Sequence, residues 1–291
     1  MTWNFNLPGM TVESFESRPG LTMRALVAGE GPPIVLVHGL FGTHATWERV
    51  APILVNSGYK VVIPDLLGFG NSSRTGAIGD LWVDSQARAI LQLSLRFGAR
   101  SAALVGHDYG GPICVAVHKL QRTFPVAIVL SNCNLATDTP IPFPINIWRW
   151  SVVGSIFQNL VLSRPSLQMS IRQANVSQVR LPVNDYLGDA EQINATRLIF
   201  RKAILNLETA YRPVEEELPH MQVPVSVIWG DRDPFFHIEQ GRRTAARISG
   251  AVFRRLEGCG HFCPEERPVE YANEVLAAVA RVKSTVVPRA L

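Results

Sequence analysis

Apolar positions along the first 130 residues arrive in two rhythms, and their alternation predicts the architecture. Short runs with period-two spacing or β-branched character mark strands, and apolar residues three and four apart mark helices. Residues 10–28 read as two strands, with alternation in Thr22-Met23-Arg24-Ala25-Leu26-Val27 and a Pro19-Gly20 turn between them. Ile34-Val35-Leu36-Val37, Lys60-Val61-Val62-Ile63, Ala102-Ala103-Leu104-Val105 and Val126-Ala127-Ile128-Val129-Leu130 are the strands that follow. Three helices lie between them. One runs from Thr46 with Trp47, Val50 and Leu54 on one face and ends near Gly58. A longer one is capped by Asp80, presents Val83, Ala87, Ile90, Leu91 and Leu95, and is closed by Gly98. The third carries Ile113, Val117 and Leu120.

The rhythm changes after Asn132. From about residue 136 to 220 no strand-like alternation occurs, and prolines punctuate helical stretches. Trp148, Trp150, Val153, Ile156 and Leu160 suit one helix; Ile193, Arg197, Phe200, Ile204 and Leu207 suit another. Alternation then resumes with Val225-Ser226-Val227-Ile228-Trp229, a helix near 238–248, a strand at 251–256 and a last helix over about 267–282. Strands alternating with helices imply an α/β fold, with a mainly parallel sheet covered by helices on both faces. The core comprises residues 1–135 and 221–291, and a mostly helical insertion occupies 136–220.

Composition narrows the partners. At 291 residues, 47% hydrophobic and 18% charged, the chain reads as a soluble globular protein. Its net charge of +4 is scattered, with no basic stripe interleaved with aromatics, so no nucleic-acid partner is expected. The N-terminus shows no signal-peptide pattern, and no apolar run reaches the roughly 20 residues of a membrane helix. A cytoplasmic protein with reduced thiols is the expectation for its four cysteines. Cys259 and Cys263 flank His261, but a second ligand pair is missing, so no metal is expected and no cofactor is implied.

Candidate chemistry concentrates in Val105-Gly106-His107-Asp108-Tyr109-Gly110-Gly111, a glycine-flanked turn between a strand and a helix. A G-x-S-x-G elbow in that context holds an exposed nucleophile above a sheet. Asp108 stands where most such turns carry serine. A carboxylate that displaces a leaving group from a saturated carbon forms an ordinary ester, which water then cleaves at the carbonyl. Attack on an ester or amide would instead give a mixed anhydride, a poor intermediate. Asp108 therefore points to covalent catalysis at an alkyl carbon, such as a C–halogen bond or an epoxide. Aspartate is also a common turn residue, so its partners decide the matter.

Sites on such sheets form at the carboxyl ends of strands. Four exits carry suggestive residues: His38-Gly39-Leu40, Asp108-Tyr109, Gly230-Asp231-Arg232-Asp233-Pro234-Phe235 and Gly258-Cys259-Gly260-His261-Phe262. Nucleophile, acid, histidine is the chain order of α/β-hydrolases. Over essentially its whole length the chain resembles the aspartate-nucleophile group of that superfamily, which includes epoxide hydrolases and haloalkane dehalogenases. The resemblance implies the α/β-hydrolase fold, with 136–220 as a cap. It puts the nucleophile on Asp108, the charge partner on Asp233 and the base on His261; Asp233 is preferred to Asp231 because the family sets its acid directly before that proline. It also gives the backbone N–H groups of Leu40 and Tyr109 the oxyanion-hole positions. His261 would take a proton from the water that attacks the ester, while Asp233 fixes its tautomer. His107 reads as buried structure pointing away from the nucleophile, His38 as a brace for the oxyanion loop, and Asp65 as support for the loop over 64–70.

The leaving group divides the family. Dehalogenases usually follow the nucleophile with tryptophan, where this chain has Tyr109, and tend to carry Asn or Glu in place of Leu40. Against that, residues 130–138 resemble one dehalogenase subfamily, and Trp148 or Trp150 would offer an indole donor. Epoxide hydrolases commonly have an apolar residue at the Leu40 position, though with proline in place of Phe41. They protonate the opening alkoxide with cap tyrosines, of which this chain has Tyr186 and Tyr211. The halide-holding pair is the more clearly absent set, so an epoxide hydrolase acting on a small apolar substrate is favoured. A haloalkane dehalogenase is the alternative. A lyase or cyclase, or a ligand receptor on the same fold, stands further off.

Overall fold

The computed structural model describes residues 7–40, 42–97, 101–140 and 160–285. Its strands are β1 (Thr11–Arg18), β2 (Leu21–Ala28), β3 (Pro33–Val37), β4 (Lys60–Asp65), β5 (Ala102–His107), β6 (Pro125–Ser131), β7 (Val225–Gly230) and β8 (Val252–Leu256). They form one sheet in the order β1-β2-β4-β3-β5-β6-β7-β8. The β1–β2 and β2–β4 pairings are antiparallel, and all pairings from β4 to β8 are parallel. The expected α/β-hydrolase architecture, a mainly parallel sheet between helical layers, is the one observed.

Because successive side chains on a strand face opposite ways, the central strands feed two cores. Val35, Val37, Leu104, Ile128 and Leu130 pack on one side, against α3 (Val83–Arg96) and α4 (Gly110–Leu120). Ile34, Leu36, Val105, Ala127 and Val129 pack on the other, with Trp47, α1 (Ala51–Asn56) and the last helix, α11 (Pro268–Thr285). Both faces of β5 are therefore apolar and buried, which fixes the strand that carries the elbow.

Two helix starts differ from the sequence expectation. The helix expected from Thr46 is a 3-10 turn over His44–Trp47 followed by α1, with a proline in the first turn of α1. Pro52 lacks an N–H to bond one turn back, so it begins a helix and does not continue one. Asp80 does not cap the long helix: it sits inside the short α2 (Ile78–Leu81), where it accepts from Thr75 Oγ1 at 2.9 Å and pairs with Arg18. Trp82 separates α2 from α3 with an extended backbone, its ring lodged 6.3 Å from Tyr109 and 6.4 Å from Tyr211.

Between β6 and β7 the described chain is helical: α5 (Arg164–Ala174), α6 (Val183–Leu187), α7 (Ala190–Leu205) and α8 (Leu207–Glu215); α9 (Ile238–Ala246) links β7 to β8. Leu167, Ile171, Tyr186, Leu187 and Ile204 make a third apolar cluster, which joins the sheet layer through Ala45 and Phe262. The helix over Ile193–Leu207 is divided at Asn206, whose side chain accepts from Thr209 N–H and starts α8. Trp148, Trp150 and Gly98 lie outside the described residues.

The β5–α4 turn is the tightest point of the fold. Asp108 has φ +49°, a left-handed conformation that costs a non-glycine residue about 1–2 kcal/mol. The strand and helix it joins approach so closely that a Cβ on Gly106 would overlap the Gly110 carbonyl, and one on Gly110 would overlap that of Val37. Gly110→Ala must therefore push the start of α4 from the end of β3, and we expect a loss of about 2–3 kcal/mol, read as a lower urea midpoint. An unchanged midpoint would mean that the turn is not confined in this way.

Candidate active site

Asp108, at the tip of the turn, is nearly buried yet faces a cavity. Its own N–H donates to the Ser131 carbonyl (3.0 Å) and its carbonyl accepts from Gly111 N–H (3.0 Å), so β6 and α4 hold its backbone. The carboxyl is held separately. Leu40 N–H donates to Asp108 Oδ2 at 2.7 Å, and the backbone N–H of Tyr109 also donates to this carboxyl. Gly39 permits this approach, since a Cβ there would lie 2.5 Å from Asp108 Oδ2. Burial pushes the carboxyl's pKa up; the His261 charge and the two N–H donors pull the other way.

His261 follows β8 on the loop into α10 (Cys263–Glu266). Its Nδ1 lies 3.0 Å from Asp233 Oδ2, which assigns the proton to Nδ1 and leaves Nε2 as the basic nitrogen. Burial acts to lower its pKa, but Asp233, then Asp108 and Glu265, outweigh burial and raise it. Asp233 is held on both oxygens: Oδ1 accepts from the N–H groups of Phe235 (2.7 Å) and Phe236 (3.2 Å), and Oδ2 from Asn132 Nδ2 (2.7 Å). Asp231 faces elsewhere, accepting from the Arg255 side chain and Gly258 N–H.

The structure thus brings Asp108, Asp233, His261 and the N–H groups of Leu40 and Tyr109 together at four strand ends. Asp108 and His261 open on one cavity of about 180 Å³. Its walls are mostly apolar, among them Leu167, Ile199, Phe200, Ile204, Phe235 and Phe236, with Asn134, Thr139 and Tyr211 as polar interruptions. No lysine or arginine lines it among the described residues.

The expected tyrosines separate. Tyr211, on α8, lines the cavity; burial holds its phenol well above the usual range, and its side chain is hydrogen-bonded to Asn134. Tyr109 also lines the cavity, but its hydroxyl is committed to the Leu81 carbonyl at 2.9 Å. Tyr186, expected to face the substrate, instead stacks on Phe262 (6.0 Å, 22°) and donates to Glu265 Oε1, away from the cavity lining. The helical segment turns this ring inward to complete its own apolar cluster, which periodicity alone does not reveal.

His38 bridges the oxyanion loop, Nδ1 to Gly39 O (2.8 Å) and Nε2 accepting from Leu66 N–H (3.0 Å), and burial lowers its pKa to about 4. Asp65 accepts from the backbone N–H groups of His44 (2.7 Å) and Asn71 (2.7 Å), tying the loop after β4 to that after β3. His107 is buried, as expected, and its ring lies 5.0 Å from that of His261. Cys259 and Cys263 place their sulfurs 3.3 Å apart, and among the described residues no cluster of three or more His, Cys, Asp or Glu is arranged to hold a metal. No described helix is long and apolar enough to cross a membrane.

Sequence reasoning missed Asn132, Asn134 and Glu265. The only local signal was the polar run Ser131-Asn132-Cys133-Asn134 at a strand exit.

The family model described as "Alpha/beta hydrolase family" matches residues 34–274. "Epoxide hydrolase A" of Mycobacterium tuberculosis is 23% identical over 313 residues, covering 92% of this chain and 97% of that protein. The structure "Epoxide hydrolase CorEH without ligand" superposes with a TM-score of 0.76 at 19% identity, over 94% of this chain and 99% of that one. A haloalkane dehalogenase DbeA-M1 loop variant from Bradyrhizobium elkanii gives 0.79 at 14% identity, over 96% and 99%. At these identities the likeness is one of fold, and the chemistry is argued from the site.

Glu265 supplies a test of the site's electrostatics. It is buried four residues beyond His261, with Oε1 on Tyr186 and Oε2 without a hydrogen-bond partner among the described residues, and burial raises its pKa to about 8. The folded protein then binds a proton that the unfolded chain releases near pH 4.5, so stability is full below that pH and falls as pH rises to about 8. Glu265→Gln is expected to flatten urea stability between pH 5 and 8 relative to wild type. Parallel pH profiles would show that Glu265 does not carry this proton.

Proposed function

The chain belongs to the alpha/beta hydrolase family, and from that premise we propose that it opens epoxides of small apolar compounds through a covalent ester on Asp108. The observation that carries this reading is the hydrogen bond from Leu40 N–H to Asp108 Oδ2. In a hydrolase with a serine nucleophile, an oxyanion hole awaits the substrate's carbonyl. If Asp108 becomes an ester, the carbonyl is its own, and its donors must already point at a carboxyl oxygen.

In this reading the other Asp108 oxygen attacks the less hindered epoxide carbon as the C–O bond breaks. The opening oxygen takes the Tyr211 phenol proton, which stays on the phenol until then because burial raises its pKa. Water next gives a proton to His261 Nε2 and adds to the Asp108 carbonyl carbon. The charge that develops on Oδ2 is met by the Leu40 and Tyr109 N–H groups. Collapse expels the diol oxygen, which takes the proton from His261, and the proton lost as Asp108 returns to carboxylate restores the Tyr211 phenol.

The described helices of the 136–220 segment, α5 to α8, serve here as a cap over the carboxylate. A cavity with no lysine or arginine among its described lining residues suits uncharged substrates, and its low polarity strengthens each local electrostatic contact. Epoxide opening is favoured over halide release because Tyr211 lines the cavity beside Asp108 as a phenol, while the hydroxyl of Tyr109, which also lines it, is given to the Leu81 carbonyl.

His261→Gln should stall the second half of the reaction. Mixed with styrene oxide, this variant is expected to gain the mass of one substrate, located on the Asp108 peptide, and 1-chlorobutane should give no adduct. An adduct from the chloroalkane alone would move the assignment to dehalogenation, and none from either would oppose the ester mechanism. Tyr211→Phe should lower epoxide turnover by about 10²-fold or more, the scale of a lost general acid.

A further inference from the structure

The end of β6 serves both halves of the site. The Ser131 carbonyl holds the Asp108 N–H at 3.0 Å, and the next side chain, Asn132, donates from Nδ2 to Asp233 Oδ2 at 2.7 Å. That oxygen is the one 3.0 Å from His261 Nδ1. Asn132 is fully buried and sits at φ +44°, in the left-handed region that glycine, asparagine and aspartate enter more readily than other residues.

Its amide has one allowed orientation. Oδ1 accepts from the Cys263 thiol (3.0 Å) and from Gly230 N–H (3.4 Å). A flipped amide would set Oδ1 against the Asp233 carboxylate and its N–H groups against two donors. Aspartate would suit the backbone but place a second carboxylate on Asp233. The position therefore requires a short side chain that donates on one side and accepts on the other, and a primary amide meets that need.

We propose that Asn132 is a positioning residue for the Asp233–His261 pair, holding Asp233 Oδ2 in line with Nδ1 and taking up part of the carboxylate's charge. The inference rests on reading those two residues as the acid and base of the proposed hydrolysis. Each further donor makes a carboxylate less basic, so the shared proton stays on the imidazole and Nε2 remains the nitrogen that meets water. Without the amide, Asp233 pulls harder on an imidazolium. More of His261 is then protonated at neutral pH, and less is free to act as a base.

The charged and titratable groups around His261 are Asp233 from the loop after β7, Asp108 from the elbow, His107 from β5 and Glu265 from α10. An Asn132 substitution leaves all four in the chain.

Asn132→Gly keeps the backbone conformation and deletes the amide; Asn132→Ala deletes the amide without adding backbone freedom. The His261 pKa is read by NMR titration of histidine-labelled, substrate-free protein, with His261→Gln identifying the resonance. Both variants are expected to raise it by about half a unit or more. Hydrolysis of the styrene oxide adduct in a single turnover should slow by up to about threefold at pH 7 for a half-unit shift, and recover as pH rises past the new pKa. A residue that only supports the fold would lower the rate at every pH and leave the imidazole titration in place.

An unmoved His261 pKa in either folded variant overturns the proposal. If wild type forms no adduct with the epoxide, the hydrolysis reading fails, while the titration still judges Asn132.

Discussion

A carboxyl group held at the tip of a left-handed turn is the constraint on which the site depends. Asp108 remains at φ +49° because β3, β5 and β6 leave its neighbours no other path, and because Ser131 and Gly111 take both of its backbone hydrogen bonds. The strain is local and small, about 1–2 kcal/mol for one residue. The surrounding sheet is apolar on both faces and absorbs it. What the strain secures is an acidic side chain that stands clear of the sheet yet stays within reach of two backbone N–H groups.

Burial then gives each charge its partner. An isolated carboxylate would leave the cavity by taking a proton, and burial does push Asp108 in that direction. The N–H groups of Leu40 and Tyr109, with the imidazole of His261, act against it. His261 is balanced likewise between its own burial and the carboxyls around it. Asp233 is fixed by four donors, two on each oxygen. These groups form one electrostatic unit, so a substitution at any of them is felt by the others.

The fold, and the meeting of Asp108, Asp233 and His261 at the strand ends, were legible because both depend on chain order. Alternating strands and helices dictate a parallel sheet, and a parallel sheet gathers its strand exits, so Asp108, Asp233 and His261 could be named from the residues that follow each strand. The partners of those residues were not legible, because packing between distant segments chooses them. Tyr186 and Tyr211 look alike in sequence, yet one stacks on Phe262 and the other reaches the cavity. His107 was expected as buried structure, but its packing against His261 was not foreseen. Asp80 is an ordinary helix cap by its position, but Arg18 and Thr75 claim its carboxylate and Trp82 breaks the chain beyond it. Asn132 lay in a stretch resembling a dehalogenase subfamily, which assigned it no task; the role proposed for it follows from a left-handed backbone and the partners on both sides of one amide.

The most direct measurement of covalent attack by Asp108 is a single turnover of styrene oxide in ¹⁸O-labelled water, with enzyme in excess. The account predicts that the diol first released carries unlabelled oxygen taken from Asp108, and that the label appears in the Asp108 peptide. Label in that first diol, with none in the peptide, would mean that water attacks the substrate directly and would contradict the account.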